Sequence, residues 1–503
     1  MNMQEVQPIN IQPNAISEPQ QKYGALKEFL NYNLIDGQLE LQNENFNTSD
    51  LNFLETVNVR KLFIKYSDQQ FPKFTSKYVK ELQLDVSKIE NFKNLQLENL
   101  ESLQIKYCEQ IQECQYFASV RKLELYDVKN IEYLFQKQAC PTIQELIIVN
   151  CELTSLDKLQ LQNLQVLHLF HGSSLLNIQN IKIYQPLREL HIKRYDNFDT
   201  TPLEQLNNLR IVRFEECNKI IINLNSQSIN EFNIKECKSS KIKQFQLQNL
   251  KTLGVNNFNK INQLLQNHIQ CKNLKQLDLS LNERINETLL QQLTQIKTLN
   301  LSCCSLRDIT NINQKEVKKY KYIDISSLKY LTQLERLLLN CCHVNTIDVL
   351  SNHINLIKLD LSENDCIDLT PLQSLVSLRK LNLENCTFEN INSLKYLVNI
   401  EDLNLSNDDY DYADNMGSTQ NQINFSNQFQ ILNSNLIQHP PSQISFSKLF
   451  HKLSKTPLTR RCYGIGCSEL TGKQTFLPLF KNQLYFFNYI LNDNQTSKTS
   501  RRI

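Results

Sequence analysis

Glycine is the scarce residue of this chain: 8 among 503, where an ordinary composition has about 7%. That shortage excludes most Gly-rich phosphate loops, and with them collagen-like and flexible-linker architectures. An excess of charge of one sign is also missing. The 54 Lys and Arg face 52 Asp and Glu, a net +2, so no overall field draws the molecule to nucleic acid or membrane. Long apolar runs are lacking too. The best candidate, Phe476 to Leu491, is interrupted by Pro478, Lys481, Asn482, Gln483 and Asn488, whereas a spanning helix needs about 18 uninterrupted apolar residues. Residues 1–20 contain no apolar segment of a secretory signal. The expectation is a cytoplasmic protein with reduced thiols and no transmembrane segment. Its length suits about three ordinary domains or one extended array.

What is present is a repeat. The pattern apolar-x-x-apolar-x-apolar begins at Val59, Val79, Leu100, Val120, Ile143, Leu164, Leu187 and Leu209. It resumes at Ile229, Leu250, Leu274, Ile296, Leu334, Leu356, Leu378 and Ile400. Every step between these positions is 20 to 24 residues except one of 38, from Ile296 to Leu334. In the copy at 378–399, Leu381 and Leu383 are two apart and share one face of a strand. Phe388, Ile391, Leu394 and Leu397 follow at spacings of three, which suit a tight turn or 3₁₀ return. One such unit cannot bury its apolar face alone, so the units must stack into a parallel sheet.

The segments LKQLDLSLNERI (274–285), LIKLDLSENDCIDL (356–369) and IEDLNLSN (400–407) resemble the leucine-rich repeat signature. Their length is similar to that of the short repeats of phosphatase-regulator and internalin-type proteins. The resemblance implies an α/β solenoid with a curved parallel sheet on its concave face and turn or 3₁₀ returns on its convex face. It covers residues 59–408, about 16 units, with an insertion or a truncated repeat near 310–325. Residues 1–21 read as disordered, and 22–58 as an N-terminal cap or worn repeats. Residues 409–441 read as a polar, acidic linker. The region 442–503 carries ten Lys and Arg against two Asp and Glu and reads as a basic C-terminal part that could cap the last unit.

Catalytic chemistry finds little support. GCSELTGKQ (466–474) has five residues between its glycines where a phosphate loop needs four, and Gln474 stands at the magnesium-binding hydroxyl position. Cys462, Cys467 and His451 offer three ligands without a fourth. Cys303–Cys304 and Cys341–Cys342 invite a zinc reading, but neighbours on an extended chain point to opposite sides. Seven cysteines (Cys108, Cys151, Cys217, Cys237, Cys304, Cys342 and Cys386) occupy the inward N/C position of the signature, where a thiol packs as a small hydrophobe. No enzyme, cofactor or metal is therefore expected.

The outward positions of each strand align in columns. One cluster collects Ile147, Val149, Val166, His168, Phe170, His191, Lys193 and Arg213 over four adjacent strands, a mixture typical of binding anchors. His168, His191 and Arg213 should neighbour one another and raise a local positive potential. The expected function is a non-catalytic scaffold that binds a partner protein on the concave sheet. Regulation of an enzyme such as a phosphatase, and RNA or anionic-membrane contact through the basic C-terminal region, are the alternatives; nucleic acid is not the expected partner.

Overall fold

The computed structural model describes residues 34–405 apart from interior stretches, the longest of them 305–324. The expectations for 1–21, 409–441 and 442–503, and the nature of the 310–325 insertion, lie outside the described residues.

Seventeen strands form one parallel sheet. They are Gln38–Gln42, Lys61–Tyr66, Glu81–Val86, Ser102–Lys106, Lys122–Tyr126 and Glu145–Val149, then Val166–Phe170, Glu189–Lys193, Ile211–Glu215, Glu231–Lys235 and Thr252–Asn256. Six three-residue strands complete it: Gln276–Asp278, Thr298–Asn300, Arg336–Leu338, Lys358–Asp360, Lys380–Asn382 and Asp402–Asn404. Consecutive strands pair without slippage. Leu146 lies opposite Leu167, Leu167 opposite Leu190, and Leu190 opposite Val212. The 38-residue step keeps this register, with Leu299 opposite Leu337. This is the leucine-rich repeat solenoid that the signature implies.

Register holds because a slip of one residue would turn every buried side chain to solvent. The first residues of all sixteen units, Val59 to Ile400, are buried, and so are Leu381 and Leu383. Where phenylalanine replaces leucine, rings pack edge to face: Phe214 and Phe232 have centroids 5.8 Å apart, Phe232 and Phe245 4.7 Å. On the return side, 3₁₀ segments such as Thr370–Ser374 and Ile391–Tyr396 alternate with short helices and two-stranded parallel pairs such as Ile221–Ser226 with Lys241–Leu247. One further rung, Gln38–Gln42, lies within the 22–58 segment and buries Leu39 and Leu41 against the strand that follows.

From Ser102–Lys106 to Lys380–Asn382, each strand leaves the sheet through a left-handed residue immediately before the inward position. Examples are Asn150, Glu216, Leu281, Cys303, Cys341 and Asn385, with φ between 52° and 62°. None is glycine. The conformation is held by the ladder itself, since the N–H of Asn150 donates to the Phe170 carbonyl at 2.8 Å and that of Glu216 to Lys235 at the same distance. The following residue then points inward. All seven signature cysteines are buried, and the thiols of six donate to backbone carbonyls of the preceding unit, among them Cys304 to Leu279, Cys342 to Leu301 and Cys386 to Leu361, each at 2.9 Å. Asn364 does the same with an amide, donating to Leu339 and Leu361 while its Oδ1 accepts from the N–H of Val344.

Candidate functional site

The four strands from Glu145 to Glu215 expose one face with an in-register grid of side chains. Ile147 lies opposite His168, His168 opposite His191, and His191 opposite Arg213; in the next column Val149, Phe170 and Lys193 are successive neighbours. All eight residues of the cluster are half-buried. Strand alternation produces this, because each is flanked by a fully buried partner such as Ile148, Leu169 or Ile192.

Three rings form its centre. Phe170 packs edge-on to His191 with centroids 4.7 Å apart, while His168 lies 5.5 Å from His191 and 5.7 Å from Phe170. His168 Nε2 faces Glu189 Oε1 at 3.1 Å. His191 Nε2 sits 3.4 Å from Glu215 Oε1 without the alignment of a hydrogen bond. Burial lowers the His191 pKa; Glu215 opposes this, and His168 and Arg213 add to it. At neutral pH its ring is uncharged.

The expected column of free cations is not what the structure contains. Arg213 is clamped between Glu189 and Glu231, at 2.7 Å from the latter. Burial opposes the Arg213 charge, but these two carboxylates outweigh it and hold its pKa up. Lys193 reaches Glu215 at 3.1 Å and Glu216 at 2.9 Å, and its pKa is raised chiefly by the hydrogen bond to Glu216. Sequence columns taken one at a time do not reveal these pairs, which run diagonally between rungs; reading Glu189 and Glu231 together with the Arg213 column would have found them. Beside the cluster, a polar cleft of about 370 Å³ is lined by Arg194, Asp196, Glu216, Asn218, Glu236 and Lys238. It too is crossed by an ion pair, Arg194 to Glu216 at 2.6 Å.

The small polar residues of the later units have a structural duty. The Oδ1 atoms of Asp278, Asn300 and Asp360 accept from the N–H of Ser280, Ser302 and Ser362 at 3.0–3.1 Å. These side chains take the hydrogen bonds that would extend the strand, so the rungs there are three residues long. The four thiols of the zinc reading diverge: Cys304 and Cys342 donate into the core, while Cys303 is exposed and Cys341 half-buried. Burial raises the pKa of Cys151 and Cys342 to about 11 and that of Cys304 to about 12. The phosphate-loop near miss, and His451 with Cys462 and Cys467, lie outside the described residues. No helix among the described residues is long and apolar enough to cross a membrane.

No family model matches the chain, and no curated protein does. Among solved structures it is similar to an internalin from Listeria monocytogenes, with 16% identity over 72% of this chain and 90% of that one at a TM-score of 0.39. A leucine-rich repeat protein of Leptospira interrogans shares 21% identity over 62% of this chain and 85% of its own, with a TM-score of 0.41. The mouse RP105/MD-1 complex shares 15% over 74% of this chain and 66% of that one, with a TM-score of 0.42.

Proposed function

We propose that this chain is a non-catalytic cytoplasmic scaffold that binds a partner protein across the sheet, at the strands from Glu145 to Glu215. The observation that carries this reading is the half-exposed ring cluster of Phe170, His168 and His191, bordered by Ile147 and Val149. An apolar centre within a polar rim is the usual anatomy of a protein interface, and these side chains contribute little to the buried columns behind them. The buried, protonated ladder thiols support a structural role for most cysteines rather than a nucleophilic one.

The test is a Phe170→Ala, Ile147→Ala double variant of the full chain, compared with wild type for partner capture and for melting temperature. Capture lost with melting unchanged supports the site; undiminished capture moves it elsewhere on the sheet. Arg213→Glu is a poor probe, because it would place a third carboxylate between Glu189 and Glu231.

A further inference from the structure

We infer that Cys303 and Cys341 are the two halves of a reversible disulfide that staples the rungs on either side of the irregular 38-residue step. The strands Thr298–Asn300 and Arg336–Leu338 pair in register, and the two cysteines fall at the same place beyond them. Both are left-handed, with φ of 55° and 56°. The N–H of Cys303 donates to the Asn340 carbonyl and that of Cys341 to the Ser362 carbonyl, both at 2.9 Å. Adjacent rungs lie about 4.8 Å apart, within the window of about 4.4–6.8 Å between Cα atoms that a disulfide spans. Matching backbone conformations send both Cβ atoms the same way, opposite to the inward Cys304 and Cys342. Among the described left-handed turns, no other neighbouring pair carries two thiols. Cys303 is exposed and Cys341 half-buried.

The two thiols are unequal. Burial, then the charge and hydrogen bonding of Cys303, then Glu363, push the Cys341 thiol up to about 12. Cys341 therefore keeps its proton, and Cys303, the more exposed of the two, is the one an incoming disulfide reaches first. A small disulfide such as glutathione disulfide is the oxidant. The Cys303 thiolate attacks one of its sulfurs, the glutathione S–S bond breaks, and one glutathione leaves as a thiolate that takes up a proton. Cys341 then gives its proton to solvent and attacks Cys303 Sγ, expelling the second glutathione. Two protein thiols are oxidised to one disulfide, and one glutathione disulfide is reduced to two thiols. The bridge closes the chain around the 305–324 stretch and joins two three-residue strands where the regular spacing lapses.

The experiment equilibrates the full-length protein with glutathione disulfide, alkylates the remaining thiols, and digests without reduction for mass spectrometry. The expected product is a peptide pair joined through Cys303 and Cys341, lighter by two hydrogens than its separate halves and released by dithiothreitol. Cys341→Ser should leave Cys303 as a mixed disulfide with glutathione; Cys303→Ser should leave Cys341 as a free thiol, with circular dichroism establishing that both variants fold. Recovery of both wild-type residues as alkylated thiols, as separate glutathione adducts, or linked to other cysteines would overturn the inference.

Discussion

Gly172 occupies the inward step that Cys151 fills one unit earlier and Cys217 two units later, but here the neighbouring unit supplies Tyr195. That ring is fully buried and lies where a side chain on residue 172 would be. A Cβ there would stand 1.9 Å from Tyr195 Cε1 and 2.0 Å from Cζ. Neither side yields easily, because the ring is fully buried and the preceding residue is tied to the ladder, the N–H of His171 donating to the Lys193 carbonyl at 2.8 Å. Gly172→Ala should therefore cost about 1–3 kcal/mol or more, the usual penalty of inserting a methyl into a packed core. Tyr195→Cys, which restores the ladder residue but empties the ring's space, should cost about 3–5 kcal/mol by analogy with aromatic truncations. Combined, the two changes should cost less than their sum by about the size of the clash, because the alanine methyl then enters vacated space. Urea denaturation of the four proteins measures this coupling. Additivity to within about 0.5 kcal/mol would refute the steric account and place the need for glycine in its own backbone.

The Tyr195 hydroxyl is buried with no hydrogen-bond partner among the described residues, a state that costs about 1–3 kcal/mol. Tyr195→Phe should raise the urea midpoint, and a lowered midpoint would reveal a partner. Leu281 is left-handed at φ 62° and 45% exposed; because this conformation costs a branched L-residue about 1–2 kcal/mol and asparagine less, Leu281→Asn should stabilise the protein despite removing an apolar side chain. Destabilisation would show that Leu281 packs productively. Burial lowers the pKa of both His191 and His353. The unfolded chain takes up a proton at each near pH ~6.5 while the folded chain does not, so stability present above that pH is lost as it falls. The urea midpoint should drop between about pH 7 and 5, above the range in which most carboxylates titrate. His353→Leu, which restores the residue type of Leu331 and Leu375, should flatten that drop; an unchanged slope would refute the assignment.

What one unit encodes by its own period was legible in the sequence. Leu381 and Leu383 had to share a face, Cys386 had to turn inward, and Ile391 to Leu397 had to return in tight turns; the structure has each of these. What depends on two units at once was not. Arg213 was expected as a cation free to raise a potential, yet Glu189 and Glu231 reach it from the rungs on either side. The left-handed strand exits at Glu216, Leu281 and Cys341 also depend on a neighbouring rung, whose carbonyl accepts the N–H of each. The rung Gln38–Gln42 escaped the pattern because its lead position is Asp36. There the chain enters through a turn closed by hydrogen bonds between Ile35 and Gln38.

The charge balance of the proposed surface decides how a partner would be held. Lys193, Arg194 and Arg213 face Glu189, Glu215, Glu216 and Glu231, all within ion pairs, and lowering of its pKa by burial keeps His191 neutral at physiological pH. Fields that cancel over a few ångströms give little steering, and at physiological ionic strength the screening length is about 8 Å. An acidic partner would thus gain no long-range attraction and would have to displace Glu189 or Glu231 to reach Arg213. The energy of docking must come from desolvating Phe170, Ile147 and Val149, with Phe170→Ala costing about 2 kcal/mol or more of binding. Association at this site should change little between low and physiological salt, and the effect of Phe170→Ala should fall mainly on the dissociation rate. Surface plasmon resonance across a salt series reads both. An association rate that fell steeply with salt would mean that the glutamate–arginine network opens on binding, and that the partner is read by charge rather than by the rings.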